Sequence, residues 1–336
     1  MRQGIKDHQV GLQARGLYRR QLLLSILALG PSPALSQEVW PGRPIRIIVP
    51  FAPGASSDTL ARLIAAKAAP FLGSTPVIEN RAGAGGLLAA QHVARSAPDG
   101  TTLLWGGGTA ITHAVMHSNP GFDVLRDFTP IITLAEHPAV LGVRTAAPWQ
   151  NIAGLLRAAT TTSGGLRYGS GGIGTPAHMA AAAMLRIIGA EGTHVPYRGG
   201  GALLPELIAG RVDYAFTTAL NGIPQAEAGK LRILGVPNGK RVPLLPEIPT
   251  IAESGLPGFD GVDWAAMMAP PGLPAPILAK LNAAMQSVLK EPELVAAMAA
   301  RRLVLEASTP EALAEFLRQE TTRWAPVVRA SGARPD

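Results

Sequence analysis

Three short segments carry the residue types best suited to chemistry: Pro53-Gly54-Ala55-Ser56-Ser57-Asp58, Gly106-Gly107-Gly108-Thr109 and Gly169-Ser170-Gly171-Gly172-Ile173-Gly174-Thr175. Each combines glycine, which lets backbone approach a ligand, with a hydroxyl at the opening of an expected helix. There the free N–H groups and the helix dipole favour an anion. The chemistry this suits is reversible capture of a carboxylate. Any one such loop is more often an ordinary capped turn. Three of them, at strand ends where open α/β sheets bind ligands, point to a site.

Other chemistries find less support. Gly169 to Gly174 fits G-x-G-x-x-G, but the acid that should end the following strand and meet a ribose is missing: Glu191 comes before the strand expected over His194 to Tyr197. His113 and His117 are spaced i, i+4, without the Glu of H-E-x-x-H and with no third ligand, so solvated or capping imidazoles are favoured over a metal site. His178 falls inside an expected helix as a packed, hydrogen-bonded histidine. No serine has a G-x-S-x-G setting. Asp213, the only acid in the apolar strand Val212 to Thr217, could bind a ligand group or serve the structure. With no cysteine in 336 residues there is no thiolate nucleophile, Cys-based zinc site or disulfide.

The elements that must position these loops alternate between short β-branched runs and stretches of helical period, the pattern of βαβ units around a mostly parallel sheet. Strands are expected over Ile45 to Phe51, Pro76 to Glu79 and Thr102 to Trp105, with helices following the first two. Ile131 to Thr133 and Val140 to Arg144 carry the chain into a second, smaller unit. There strands Leu166 to Tyr168, His194 to Tyr197, Val212 to Thr217 and Leu231 to Val236 alternate with helices Asn151 to Ala159, Pro176 to Ile188 and Leu203 to Ala209. A proline-rich passage from Pro237 leads to strand Trp264 to Ala269 and two amphipathic helices that pack back on the first unit. The predicted domains are therefore 37–138 with 236–336, and an inserted 139–235.

The length suits two domains, and 47% hydrophobic with 16% charged residues excludes disorder. The first 36 residues read as an export signal. A basic stretch ends in Arg19-Arg20, an apolar run covers Leu22 to Gly30, and Ala34-Leu35-Ser36 offers cleavage before Gln37, by either the general or the twin-arginine route. That segment holds Arg2, Lys6, Arg15, Arg19 and Arg20 against Asp7, so the formal net charge falls from +7 to +3 after cleavage. The remaining basic residues are dispersed and aromatics are 5%, which argues against a nucleic-acid partner.

Taken as a set, the motifs resemble the Bug, or tripartite tricarboxylate transporter (TctC-like), substrate-binding proteins. The resemblance rests on Trp40 to Phe51 with Pro53-Gly54 and Asp58, Glu79-Asn80-Arg81 through Gly86, Ala97 to Thr101, and Asp127 to Pro130. It continues through Tyr168 to His178, His194 to Gly199, Ala228 to Arg232 and Leu245 to Thr250, in order over essentially the whole chain after residue 36. Ala55 stands where the family usually has a second glycine, and Ala82 where it usually has proline.

The resemblance implies an α/β, two-domain periplasmic-binding-protein fold of type II, or Venus-flytrap, kind with two crossing hinge strands. It implies closure on a small organic carboxylate and delivery to a tripartite membrane permease by a periplasmic monomer; the alternative is a sensing subunit that docks on a membrane sensor. No cofactor, metal, nucleic-acid partner or catalytic residue is implied. The candidate ligand set is Phe51, Ala52, Pro53, Gly54, Ala55, Ser56 and Asp58 from the first loop, Thr109 beside the cleft, and Ser170, Gly171, Gly174, Thr175 and His178 from the opposite domain, with Tyr197 and Asp213. Because these loops contain no Lys or Arg, apart from Arg81 at a neighbouring strand end, the charge is expected to be met mainly by amides and hydroxyls.

Overall fold

The computed structural model describes residues 40–261 and 263–333; the expected export signal lies outside the described residues. In chain order the elements begin β1 (Arg46–Val49), α1 (Ser56–Leu72), β2 (Val77–Asn80), α2 (Leu87–Ala94), β3 (Thr102–Gly107), α3 (Gly108–Met116) and β4 (Thr129–His137). They continue β5 (Ala139–Arg144), α4 (Ile152–Thr161), β6 (Leu166–Ser170), α5 (Pro176–Ile187), β7 (Gly192–Pro196), α6 (Gly200–Ile208), β8 (Tyr214–Thr218), α7 (Ala219–Glu227) and β9 (Leu231–Gly235). The chain closes with β10 (Asp263–Ala269), α8 (Ala275–Val288), α9 (Pro292–Ala299), β11 (Val304–Leu305) and α10 (Pro310–Ala330).

Two sheets result, ordered β11-β4-β10-β3-β1-β2 and β7-β6-β8-β5-β9. In the first, β1 pairs in parallel with β2 and β3, while β10 runs antiparallel between β3 and β4. In the second, β6 pairs in parallel with β7 and β8, and β5 runs antiparallel to β8 and β9. The pleat explains the apolar runs. Ile47 and Val49 of β1, with Leu103 and Trp105 of β3, face one side and pack on Leu60, Ile64, Leu281 and Met285. Ile48 and Leu104 face the other side and join a cluster that continues through Ile111, Tyr168, Met184, Phe216, Leu313 and Trp324. Strands covered on both faces need apolar residues at consecutive positions.

The chain passes from the first sheet to the second through Pro138, the single residue between β4 and β5. Its return is longer. Val236, Val242, Leu245 and Ile248 pack with Val140, Ala219 and Ile223 of the second sheet's layer, and the chain re-enters the first sheet at Asp263. Within the passage, Thr250 Oγ1 accepts from Glu253 N at 3.0 Å and Glu253 Oε2 accepts from Thr250 N at 2.9 Å, a reciprocal cap that holds the turn. Helix α10 is anchored by buried Glu320, whose Oε2 accepts from the indoles of Trp264 at 3.2 Å and Trp324 at 3.0 Å.

Candidate functional site

The glycine loops occupy the carboxyl ends of parallel strands in both sheets, and the two sets face each other across a cavity of about 710 Å³. From the first sheet, Pro50, Phe51, Ala52 and Ala55 line it after β1, and Ala82 to Gly86 after β2. His113, Met116 and His117 come from α3 and its end. From the second sheet come Gly171, Gly172 and Ile173 after β6, and Pro196, Tyr197, Arg198 and Gly199 after β7. A shallower depression of about 370 Å³ on α10, among Glu315, Arg318 and Arg323, is ringed by charges that pair with neighbouring side chains.

Of the sequence-predicted residues, Phe51, Ala52, Ala55, Gly171 and Tyr197 stand in the cavity wall. Others lie behind it and shape it. Asp58 is buried at the start of α1, where its carboxylate accepts from Gly54 N at 2.9 Å, Asn80 Nδ2 at 2.8 Å and Arg62 Nε at 3.1 Å. Burial alone would raise its pKa, but the bonds from Arg62, the Gly54 amide and Asn80 outweigh that and hold the carboxyl below its ordinary value. Asp58 thereby fixes the Pro53-Gly54 turn, Gly54 adopting φ +82°, as an anionic brace. Ser56 Oγ lies 3.3 Å from Thr218 Oγ1 at the end of β8, a link from the first sheet's side to the second's. Thr109 is buried in the first turn of α3, its carbonyl accepting from Thr112 Oγ1 at 3.0 Å; the same hydroxyl also meets Gly174 O across the cleft.

The Ser170 to Thr175 loop is internally satisfied. Ser170 is fully buried; its Oγ donates to Gly172 O at 2.9 Å, accepts from Gly172 N at 3.1 Å and lies 2.7 Å from His194 Nε2. With the hydroxyl proton committed to Gly172 O, His194 Nε2 carries its own proton and donates. Thr175 is the N-cap of α5: its Oγ1 accepts from His178 N at 3.4 Å and donates to Gly172 O at 2.8 Å. Gly174 N donates to His178 Nδ1 at 3.1 Å. His178 and His194 stack with centroids 3.7 Å apart and planes 6° from parallel. Burial and then the neighbouring imidazole lower the pKa of His178 to about 3, and burial lowers that of His194 to about 4, so both rings are neutral. The Ser170–His194 contact has the spacing of a nucleophile and base. With Ser170 wholly buried and its proton turned into the loop, it cannot reach a substrate.

Asp213 is not brought to the cavity. It precedes β8 at the amino ends of the parallel strands and accepts from Arg167 N at 2.8 Å and Arg167 Nη2 at 3.2 Å. Arg81 is likewise engaged, 2.6 Å from Glu79. Beyond the expected ligand set, three wall residues carry titratable side chains: His113, His117 and Arg198. His113 Nδ1 lies 3.2 Å from His117 Nε2, so the pair is bonded together rather than splayed toward an ion. Burial, then the charge of His117, lowers the pKa of His113 to about 4. The i, i+4 spacing signalled that these two rings meet, but not that they face a ligand. Arg198 also lines the cavity, and among the described residues no acidic side chain does. The site therefore offers backbone amides, the neutral imidazole of His113 and the basic residue Arg198, over apolar surface from Phe51, Met116 and Ile173. That combination suits a small acid.

The family described as "Tripartite tricarboxylate transporter family receptor" matches residues 60–333. Three solved structures are similar over nearly their whole lengths. Periplasmic binding protein BugD is 31% identical with TM-score 0.80, over 88% of this chain and 99% of its own. Rpa4515 of R. palustris with adipate is 33% identical with TM-score 0.82, over 88% and 100%. MatC (Rpa3494) from Rhodopseudomonas palustris with bound malate is 33% identical with TM-score 0.80, over 86% and 100%. Among the described residues no helix is long and apolar enough to cross a membrane.

Proposed function

Because the chain belongs to the tripartite tricarboxylate transporter receptor family, a family of periplasmic substrate-binding proteins with an α/β fold and not of enzymes, we propose that it captures a small organic carboxylate in the 710 Å³ cavity and delivers it to a membrane permease of the tripartite type. One observation carries the reading: backbone-rich loops at the strand ends of both sheets line a cavity that, among the described residues, has Arg198 but no acidic side chain in its wall. The adipate and malate held by two of the similar structures support the ligand class. Residues 1–36 direct export, with cleavage near Ser36 and Gln37, and the mature protein acts as a monomer.

In this reading one ligand carboxylate lies against the backbone of the loops after β1 and β6. Asp58 and the buried histidines hold those loops in place from behind, while Phe51 and Tyr197 line the hydrocarbon portion. Each hydrogen bond to a charged group contributes roughly 1.5 to 3 kcal/mol, so four bonds less the ordering costs give about micromolar, reversible binding. Thermal shift across aliphatic mono-, di- and tricarboxylates, acidic amino acids and aromatic acids tests the class. A rise in Tm for a subset of acids, reproduced as heat in calorimetric titration, is expected; no acid raising Tm at millimolar concentration removes the proposal.

A further inference from the structure

His113 lines the cavity from α3, yet its immediate surroundings belong to both walls. The side chain is buried, and its Nε2 makes no hydrogen bond among the described residues. On one side lies the turn after β2, where a Cβ at Gly85 would collide with that nitrogen. On the other lies the loop after β6, where a Cβ at Gly174 would come within 3.0 Å of it. The preceding residue, Thr112, bonds Gly174 O through its hydroxyl. The ring thus sits in the seam between the two walls and is fully covered only while they are together.

The seam makes no provision for a positive charge. Residues 82–86 and 171–175 contain no ionisable side chain, and His178, behind Gly174, is neutral. Of the elements packed on α3, α2 carries His92, β10 carries Asp263 beside His137, and α10 carries Glu320 paired with Arg323. Glu311, Glu315, Arg318 and Arg329 of α10 are exposed. Arg198 lines the same cavity, and His117 Nε2 lies 3.2 Å from His113 Nδ1. Burial, then the charge of His117, lowers the pKa of His113 to about 4, and the Gly85 backbone offsets only part of this.

Resting on the carboxylate reading, we propose that His113 couples closure of the cavity to loss of a proton: the walls come together over the neutral ring, so ligand and proton compete for the protein. When the walls part to admit a ligand, Nε2 meets water and the ring titrates near 6.5, as an exposed histidine does. Below that pH the open form carries a proton that closure must return to solvent. Apparent affinity then falls with the neutral fraction of the open form. At pH 7.5 almost every open molecule is neutral; at pH 5.5 about one in eleven is. Binding at pH 5.5 should therefore be about tenfold weaker and release about 0.9 proton per ligand.

Two measurements on the mature protein test this. The first is NMR of histidine labelled at Cε1, with the His113 signal assigned by its loss in His113→Gln. In ligand-free wild type it should titrate near 6.5, and at ligand saturation it should stay neutral to below pH 5. A ligand-free His113 that stays neutral to pH 5 overturns the proposal, whether or not the variant folds. The second is calorimetric titration with malate, adipate, citrate, glutamate and benzoate at pH 7.5 and 5.5, in two buffers of different ionisation enthalpy at fixed ionic strength. Wild type and His113→Gln are compared with the same acid, so that the acid's own titration cancels. Wild type should lose about tenfold more affinity than the variant between the two pH values, and the extra proton release should vanish in the variant. Equal losses in the two proteins overturn the proposal and leave the carboxylate reading intact. No binding of any of these acids to wild type at pH 7.5 and millimolar concentration removes both.

Discussion

His178 and His194 lie face to face beneath the glycine loop, His178 buried and His194 half-buried; with buried His113 they make three imidazoles whose pKa values fall to about 3, 4 and 4 for His178, His194 and His113. In the unfolded chain each titrates near 6.5. Above that pH both states are neutral and stability is complete. As pH falls below 6.5 the unfolded chain takes up protons that the folded chain refuses, so stability drops until the folded values are reached. The expected slope is roughly 1.4 kcal/mol per pH unit for each imidazole. Urea unfolding between pH 7.5 and 4.5 reads this, and His178→Asn, which keeps an acceptor for Gly174 N, should flatten the slope; an unchanged slope would exclude His178 as a contributor. At Thr175 the hydroxyl closes α5, and its proton is spent on Gly172 O. Thr175→Val should therefore cost about 1 kcal/mol of stability and leave ligand affinity within about threefold. A tenfold loss of affinity with an unchanged Tm would return this hydroxyl to the ligand.

The turn Ala84–Gly86 between β2 and α2 brings the first sheet's wall against the second's. Gly85 sits there at φ +61°, and a Cβ at that position would come within 2.3 Å of the His113 ring in the same wall and 2.6 Å of Ile173 O, on the loop after β6. Gly85→Ala should therefore oppose the approach of the two walls. A stability loss of about 1 kcal/mol is expected from the backbone conformation, together with ligand affinity reduced by about tenfold or more. Titration beside a melting curve checks both; full affinity would mean that the walls need not approach this closely. Much at this scale was legible in the sequence. The strands showed as apolar runs because they are covered on both faces, and Asn151 and Thr175, at helix starts expected from the sequence, are N-caps. Two helices were missed for local reasons: α7 contains Gly222 and Pro224, and α9 has only 8 residues. The glycine loops of the site were legible because their chemistry is local. Arg198 and His113 were not, since their place in the wall depends on how three separate loops converge. Asp213 misled because residue type does not say which end of a parallel strand a side chain occupies.

Over the whole molecule, the two sheets are joined by Pro138 and by the end of the β9–β10 passage at Gly261, while residues 236–248 pack on the second sheet's layer. We propose that these two points are the hinges and that the second sheet moves as a body with its helices and that passage. Across the cleft, Ser56 Oγ meets Thr218 Oγ1 and the Thr112 hydroxyl meets Gly174 O, polar links that exist only when the walls are together. A ligand held from both sides favours the closed arrangement by its differential affinity, and the apparent affinity scales with the closed fraction. Small-angle scattering should accordingly give a smaller radius of gyration at ligand saturation. Thr112→Val keeps the side-chain shape and deletes one link, whose net contribution is about 0.5 to 1.5 kcal/mol. It should weaken binding by roughly two- to tenfold while the saturated radius stays that of wild type, since enough ligand still closes every molecule. A radius unchanged by ligand in wild type would remove the hinge; a saturated Thr112→Val protein that stays expanded would make Thr112 part of the closed state itself rather than a weight on its population.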